Sequence, residues 1–214
     1  MKVLTLTILI LVATMQAFAQ KETCVTEHNA PPVNTYYWPP DTTVNVYFVR
    51  GMFTGEQRKT LLAAMKSWSE GSANAGAGIS FSYAGESDAL LRCESCLTVT
   101  RKEVNKKDRK HYAFFNPMKQ NQDGLLVSAW IDFDFATTSP QALQGFMAHE
   151  LGHGMGLLDC KNCKKKKTVM SGFPAINKNN GLVAPSDCDV EVVRKVYQLQ
   201  RQVENNTVVK KGEQ

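Results

Sequence analysis

Twelve consecutive residues carry the chemistry of this chain: His149-Glu150-Leu151-Gly152-His153-Gly154-Met155-Gly156-Leu157-Leu158-Asp159-Cys160. Two histidines four apart stand one turn apart on a helix, so both imidazoles can reach a single metal ion. Glu150 then lies beside that ion, where a carboxylate can take a proton from a water. Gly156 is suited to ending the helix, because a glycine tolerates the left-handed backbone such an ending needs. Asp159, three residues further on, can return as a third ligand. Two imidazoles, one carboxylate ligand and an adjacent base are the parts of a zinc peptidase.

The elements around the motif are expected to place it. Ser139-Pro140 supplies an N-cap and a first-turn proline for a helix running through both histidines. On that helix Leu143, Met147, Leu151 and Met155 recur every four residues as an apolar stripe. His149 and His153 are offset from the stripe by two residues, roughly 200° around the axis. The helix is therefore expected to anchor in a core and show both histidines to a cleft. Upstream, Val44, Val46 and Phe48 alternate with Asn45 and Tyr47 as a half-buried strand. Thr54-Gly55-Glu56-Gln57 reads as a capping box. It opens a helix with Leu61, Met65 and Trp68 on its inner side, broken over 72–78. Ile79, Phe81 and Tyr83 mark a second strand, and Leu97 and Val99 a third. Residues 102–124 read as a long loop or hairpin. Val127, Ala129, Ile131, Phe133 and Phe135 alternate with Ser128, Trp130, Asp132 and Asp134 as another strand. A last helix starts near Ser186-Asp187, with Val190, Val193, Val196 and Tyr197 on one side. Asn205 to Gln214 is polar and expected to fray. This order of strands and helices, without internal repeat, predicts an α+β domain.

The chain has 214 residues, 43% hydrophobic and 21% charged, which suits one globular domain with a real core. Lys2, the apolar run Val3 to Val12 and Ala17-Phe18-Ala19 together form a signal peptide over 1–19. The chain is thus expected to be secreted, extracellular or periplasmic, with no membrane anchor after cleavage. Residues 20–40 read as an N-terminal segment lying over the domain, 41–203 as the catalytic domain and 204–214 as a polar tail. Six cysteines (24, 93, 96, 160, 163, 188) in an exported chain favour three disulfides, with fifteen pairings open. Asn205-Asn206-Thr207 is an N-glycosylation sequon. Net charge is +5, with basic clusters at Lys106-Lys107-Asp108-Arg109-Lys110 and Lys164 to Lys167. Neither is interleaved with aromatics, so both read as solvated loops rather than nucleic-acid sites. His28 and His111 show no ligand spacing and read as surface residues.

The motif and the downstream methionine resemble the metzincin clan of zinc metallopeptidases. That clan carries HExxHxxGxxH or, less often, HExxHxxGxxD, followed by a methionine turn beneath the metal. Here the motif is His149 to Asp159, and Met170 falls where the turn should lie. The resemblance covers roughly 40–200 and is nearest to single-domain matrixin-like or snapalysin-like members. It implies a mixed twisted sheet with a backing helix, an active-site helix, a Met-turn and a C-terminal helix. It implies one catalytic Zn2+ held by His149, His153 and Asp159, with Glu150 as general base and Met170 as the floor. The substrate would be a protein or peptide, cleaved internally by a monomeric enzyme of one domain. Phe173-Pro174 would wall the pocket beyond the scissile bond. Three features depart from the usual pattern. Asp159 replaces the commoner His and leaves the site less positive. Gly172 stands where some members carry a Tyr near the metal. No cysteine-switch segment precedes the domain, and Cys24 reads as a disulfide partner.

Two other readings use the same residues. His149, His153, Cys160 and Cys163 form H-x3-H…C-x2-C, and Cys93, Cys96, Cys160 and Cys163 form a four-cysteine set. Either could be a structural zinc site in a binding module without catalysis. An oxidising compartment argues against free thiols, and such sites leave Glu150, Gly156 and Asp159 without purpose. An inactive metzincin-like peptide binder is the third reading, and Glu150 counts against it.

Overall fold

The computed structural model describes residues 36–103, 113–160, 168–171 and 183–212, with side chains described as far as 202. The signal segment, residues 20–35, Cys24, His28, His111, Cys163, both basic clusters, Gly172 and Phe173-Pro174 lie outside these ranges. The described part is an α+β fold with one five-stranded sheet and three helices. The strands are β1 (Thr43–Val49), β2 (Ser80–Ser87), β3 (Cys96–Lys102), β4 (Ala113–Gln120) and β5 (Leu126–Asp134). The helices are α1 (Gly55–Ala75), α2 (Pro140–Gly154) and α3 (Asp187–Gly212). The sheet order is β2-β1-β3-β5-β4, parallel throughout except for the antiparallel β4–β5 pair. None of the described helices is long and apolar enough to cross a membrane.

Local chemistry sets several boundaries. The Thr54 hydroxyl accepts from the Gln57 amide at 3.3 Å, and the Gln57 side chain accepts from the Thr54 amide at 3.0 Å, so the capping box forms as the sequence predicts. Helix α1 runs to Ala75, further than the break expected at 72, because Ser72 is buried inside the helix. Its hydroxyl accepts from the Ile79 amide at 2.7 Å, and Gly76 closes the helix at φ 71°.

The central strands differ from the simple alternation. In β5 Ala129, Ile131 and Phe133 are buried, but so are Ser128, Asp132 and Asp134. A strand inside a parallel sheet is covered on both faces, which erases the inside–outside rhythm. Val127 is only half-buried, and Phe135 lies beyond the strand and is exposed. In β2 Tyr83 is exposed, and Ile79 is buried just before the strand begins. Within 102–124, expected as a loop or hairpin, Ala113–Gln120 is the outer strand β4. Pro117 obscures this in the sequence, yet an outer strand tolerates proline, and the register shifts between Pro117 and Lys119.

Both ends of the domain extend past the expected limits. Trp38, assigned to a segment lying over the domain, is fully buried. Its amide donates to the Gly154 carbonyl at 3.0 Å, and its carbonyl accepts from the Tyr197 hydroxyl at 2.9 Å. The domain therefore starts before residue 41. Helix α3 continues to Gly212, so the backbone of 204–212 is helical rather than frayed. Val193, Val196 and Tyr197 are buried as expected, Val192 joins them, and Val190 is half-buried.

The contact of Trp38 with α2 yields a stability prediction. A Cβ placed on Gly154 would stand 2.9 Å from Trp38 Nε1 and 3.1 Å from Phe115 Cε2. Both neighbours are rigid aromatics, so neither can yield cheaply. Overpacking costs about 1–3 kcal/mol, against about 1 kcal/mol gained from the helix preference of alanine. Gly154→Ala is expected to lower the denaturant midpoint. A midpoint at or above wild type would mean that Trp38 is not packed against α2.

Candidate metal centre

Helix α2 begins as predicted, with Pro140 in its first turn and the Ser139 hydroxyl accepting from the Ala142 amide at 3.5 Å. Leu143, Met147, Leu151 and Met155 are fully buried, which matches the stripe. The opposite side is not an open cleft, however. His149 and Glu150 are buried as well, and the His153 side chain is 17% exposed. Neighbours close over this side: the Phe115 backbone comes near the Glu150 carboxylate, and the Val169 carbonyl meets His149. Asp159, with its side chain 43% exposed, is the solvent-facing member of the group.

The end of α2 brings these groups together. Met155 is the C-cap, and Gly156 follows at φ 89°. The Gly156 amide bonds the His153 carbonyl at 3.0 Å, and the Leu157 amide bonds the Gly152 carbonyl at 3.0 Å. This paired bonding across a left-handed residue is the Schellman ending, and it reverses the chain. Gly156 thus has the helix-terminating role expected of it. The reversal carries the Leu157 carbonyl to 2.9 Å from His153 Nδ1. Beyond it, the Cys160 amide donates to the Met170 carbonyl at 2.8 Å, and Cys160 pairs with Ser171 in a short parallel bridge. Asp159 is therefore held between a helix ending and a bridge.

His149 Nε2 stands 3.1 Å and His153 Nε2 3.7 Å from Asp159 Oδ1. One ligand atom from each of the three residues lies within 4.8 Å of the others. Tetrahedral zinc with bonds of about 2.0–2.1 Å requires ligand separations of about 3.3 Å. Each histidine Nδ1 faces a backbone carbonyl, Val169 at 2.9 Å and Leu157 at 2.9 Å. A carbonyl only accepts, so each Nδ1 carries the proton and each Nε2 presents a lone pair to the centre of the cluster. Two imidazole lone pairs and one carboxylate form a donor set that could hold a metal ion; the 3.1 and 3.7 Å separations lie near the tetrahedral value, while the widest, 4.8 Å, exceeds it.

Charges in the cluster are strongly perturbed. Burial raises the Glu150 carboxyl from its ordinary 4.5 to about 7, and Asp159 adds to the rise, while His149 and the Phe115 amide oppose it. Burial and the neighbouring His149 push His153 down to about 4, so it is neutral at physiological pH. For His149 burial pulls downward, but Asp159, Glu150 and the Val169 carbonyl outweigh it and the net shift is upward.

Met170 is fully buried, and its sulfur fills the notch left by Gly152. A Cβ on Gly152 would stand 2.4 Å from that sulfur and 3.3 Å from the Trp68 ring. Met170 thus lies against α2 between the turns that carry His149 and His153. Sequence reasoning singled out His149, Glu150, His153, Gly156, Asp159 and Met170, and the fold brings all six into one region. It missed Gly152, Val169, Phe115 and Asp189. Gly152 lies inside the motif, but nothing in its type announces a methionine against it. Ser186-x-x-Asp189 is a capping-box spacing that was open to reading.

Three of the four cysteines of the two competing structural sites lie among the described residues, and Cys163 does not. Cys93 and Cys96 form a disulfide, and Cys160 is also disulfide-bonded.

No known family's profile matches this chain, and no curated protein matches it.

Proposed function

We propose that this chain is an exported zinc-dependent endopeptidase. The observation that carries the reading is the convergence of His149 Nε2, His153 Nε2 and Asp159 Oδ1, with both Nδ1 atoms tied to carbonyls. Zinc bound there supplies Lewis acidity to the scissile carbonyl and acidifies water at neutral pH. Glu150 takes the proton of the attacking water and returns it to the leaving amine. His149 and His153 remain neutral donors whose rings the Val169 and Leu157 carbonyls orient. Phe115 of the outer strand β4 lies close enough to the base for its backbone to oppose the rise of the Glu150 carboxyl. An extended peptide adding to the outer edge of β4 would lie beside Glu150. The resemblance to metzincins supports the peptide substrate, and the Lys2-to-Ala19 signal pattern supports export.

The test is to purify the chain from Gln20, measure its zinc content and follow cleavage of a mixed peptide library. One zinc per chain is expected, with cleavage lost to a chelator and regained on adding zinc. Stoichiometric zinc without cleavage would leave a binding module and end the peptidase reading.

A further inference from the structure

We infer that Asp189, at the start of α3, is a positioning residue that fixes the tautomer and orientation of His149 through the Thr168–Met170 turn. The inference rests on the metal-centre reading above. Asp189 is completely buried, 40 positions from His149 in the chain, yet two short steps away in space. Its carboxylate receives donors from three described residues. The Ser186 amide and hydroxyl reach Oδ2 at 2.8 and 2.7 Å, the Val169 amide reaches Oδ2 at 3.0 Å, and the Thr168 hydroxyl donates to Oδ1. The Ser186 bonds, with the Asp189 amide returning to the Ser186 hydroxyl at 3.2 Å, are a capping box for α3. The Val169 and Thr168 bonds have no part in capping, because they leave the helix and seize the turn.

The turn then passes the constraint on. The Thr168 hydroxyl, having given its proton to Asp189, accepts from the Met170 amide at 3.0 Å. That amide shares one rigid peptide plane with the Val169 carbonyl. The carbonyl accepts the Nδ1 proton of His149 at 2.9 Å. Asp189 therefore holds the two peptide planes flanking Val169, one directly and one through Thr168. The second plane decides which imidazole nitrogen carries hydrogen. Hydrogen bonds to a charged acceptor are about twice as strong as neutral ones, which suits the carboxylate to anchor a buried turn. Outer partners of metal-binding histidines change metal affinity by about 10- to 100-fold when removed.

The experiment compares Asp189→Ala, Thr168→Val and Ser186→Ala with the wild-type chain, by two readouts. The first is zinc affinity in competition with a chromophoric chelator. The second is the tautomer of His149 in the metal-free protein, read from imidazole nitrogen NMR. Asp189→Ala and Thr168→Val are expected to weaken zinc by about 10- to 100-fold and to abolish the single Nδ1–H tautomer. Ser186→Ala is expected to lower the melting temperature while leaving both readouts at wild type. Wild-type zinc affinity and tautomer in the first two variants would overturn the inference. An equal loss in Ser186→Ala would also overturn it, since the role would then be capping alone. Should Asp189→Ala fail to fold, Thr168→Val decides by the same readouts. A wild-type chain that binds no zinc defeats the metal-centre reading, while the metal-free tautomer still tests the relay.

Discussion

Glu150→Gln is expected to abolish turnover and, at the same time, to make the metal-free protein more stable. A positioned general base contributes about 10²–10⁴-fold to rate, so peptide cleavage should fall by that factor while zinc content stays at one per chain. The stability effect follows from the raised carboxyl. Its value is about 7 in the folded protein against an ordinary 4.5, so the folded state binds the proton more tightly than the unfolded chain. The burden on folding is absent below about 4.5, grows as pH rises and is complete above about 7. At pH 8 it amounts to roughly 3 kcal/mol, because each pKa unit is worth about 1.4 kcal/mol. Glutamine has nearly the same shape and carries no charge, so it escapes the burden. Metal-free Glu150→Gln should therefore melt several degrees above wild type at pH 8 and close to it at pH 4. Because Glu150 and His149 shift each other, the difference between the two curves reports Glu150 together with that coupling. If the variant cleaves peptides like wild type, Glu150 is not the base. If the two melting curves coincide at pH 8, the carboxylate is not buried in the folded chain.

Asp159→Ala should show the opposite division between metal and fold. Asp159 supplies one of three ligand atoms, and removal of even outer partners costs about 10- to 100-fold in metal affinity. Losing a ligand outright is expected to weaken zinc by more than about 100-fold, as read by competition with a chelator. The side chain is 43% exposed, so its truncation leaves no sealed cavity. Metal-free stability should change by no more than about 1 kcal/mol, the most that a partly exposed contact with His149 is worth. Unchanged zinc affinity would remove Asp159 from the ligand set. Asp159 also helps to raise Glu150, so the variant should bring the Glu150 carboxyl down towards its ordinary range.

The candidate metal cluster was legible because it is local. His149, Glu150, His153, Gly156 and Asp159 sit within eleven residues, and their relation is fixed by helical pitch and one left-handed turn. The caps of α1 and α2 were legible for the same reason. What escaped depends on partners distant in the chain. Trp38 looked like part of a proline-bearing lead-in, and only its bonds to Gly154 and Tyr197 make it core. Strand β4 was hidden by Pro117, which matters less on an outer strand than the same residue would in β5. The helical face bearing His149 was read as open from its angle to the apolar stripe. Angle says nothing of what packs there, and the Val169 carbonyl and the Phe115 amide come from elsewhere in the chain. Asp189 carried a capping spacing, but its second set of bonds has no sequence signature.

The bracing of α2 by Trp38 also bears on when the centre comes into being. Trp38 comes from the start of the described chain, and it is fastened to Tyr197 of α3, 159 positions later. Contacts so far apart close late, because a long loop must lose its freedom before any bond rewards it. The motif itself can coil early, yet its surroundings are complete only once both ends of the domain have met. A nascent or half-folded chain then carries every ligand residue without the centre they build. Under the proposed function, that delay would be a safeguard written into topology: a peptidase meant for the outside of the cell would have its blade assembled last.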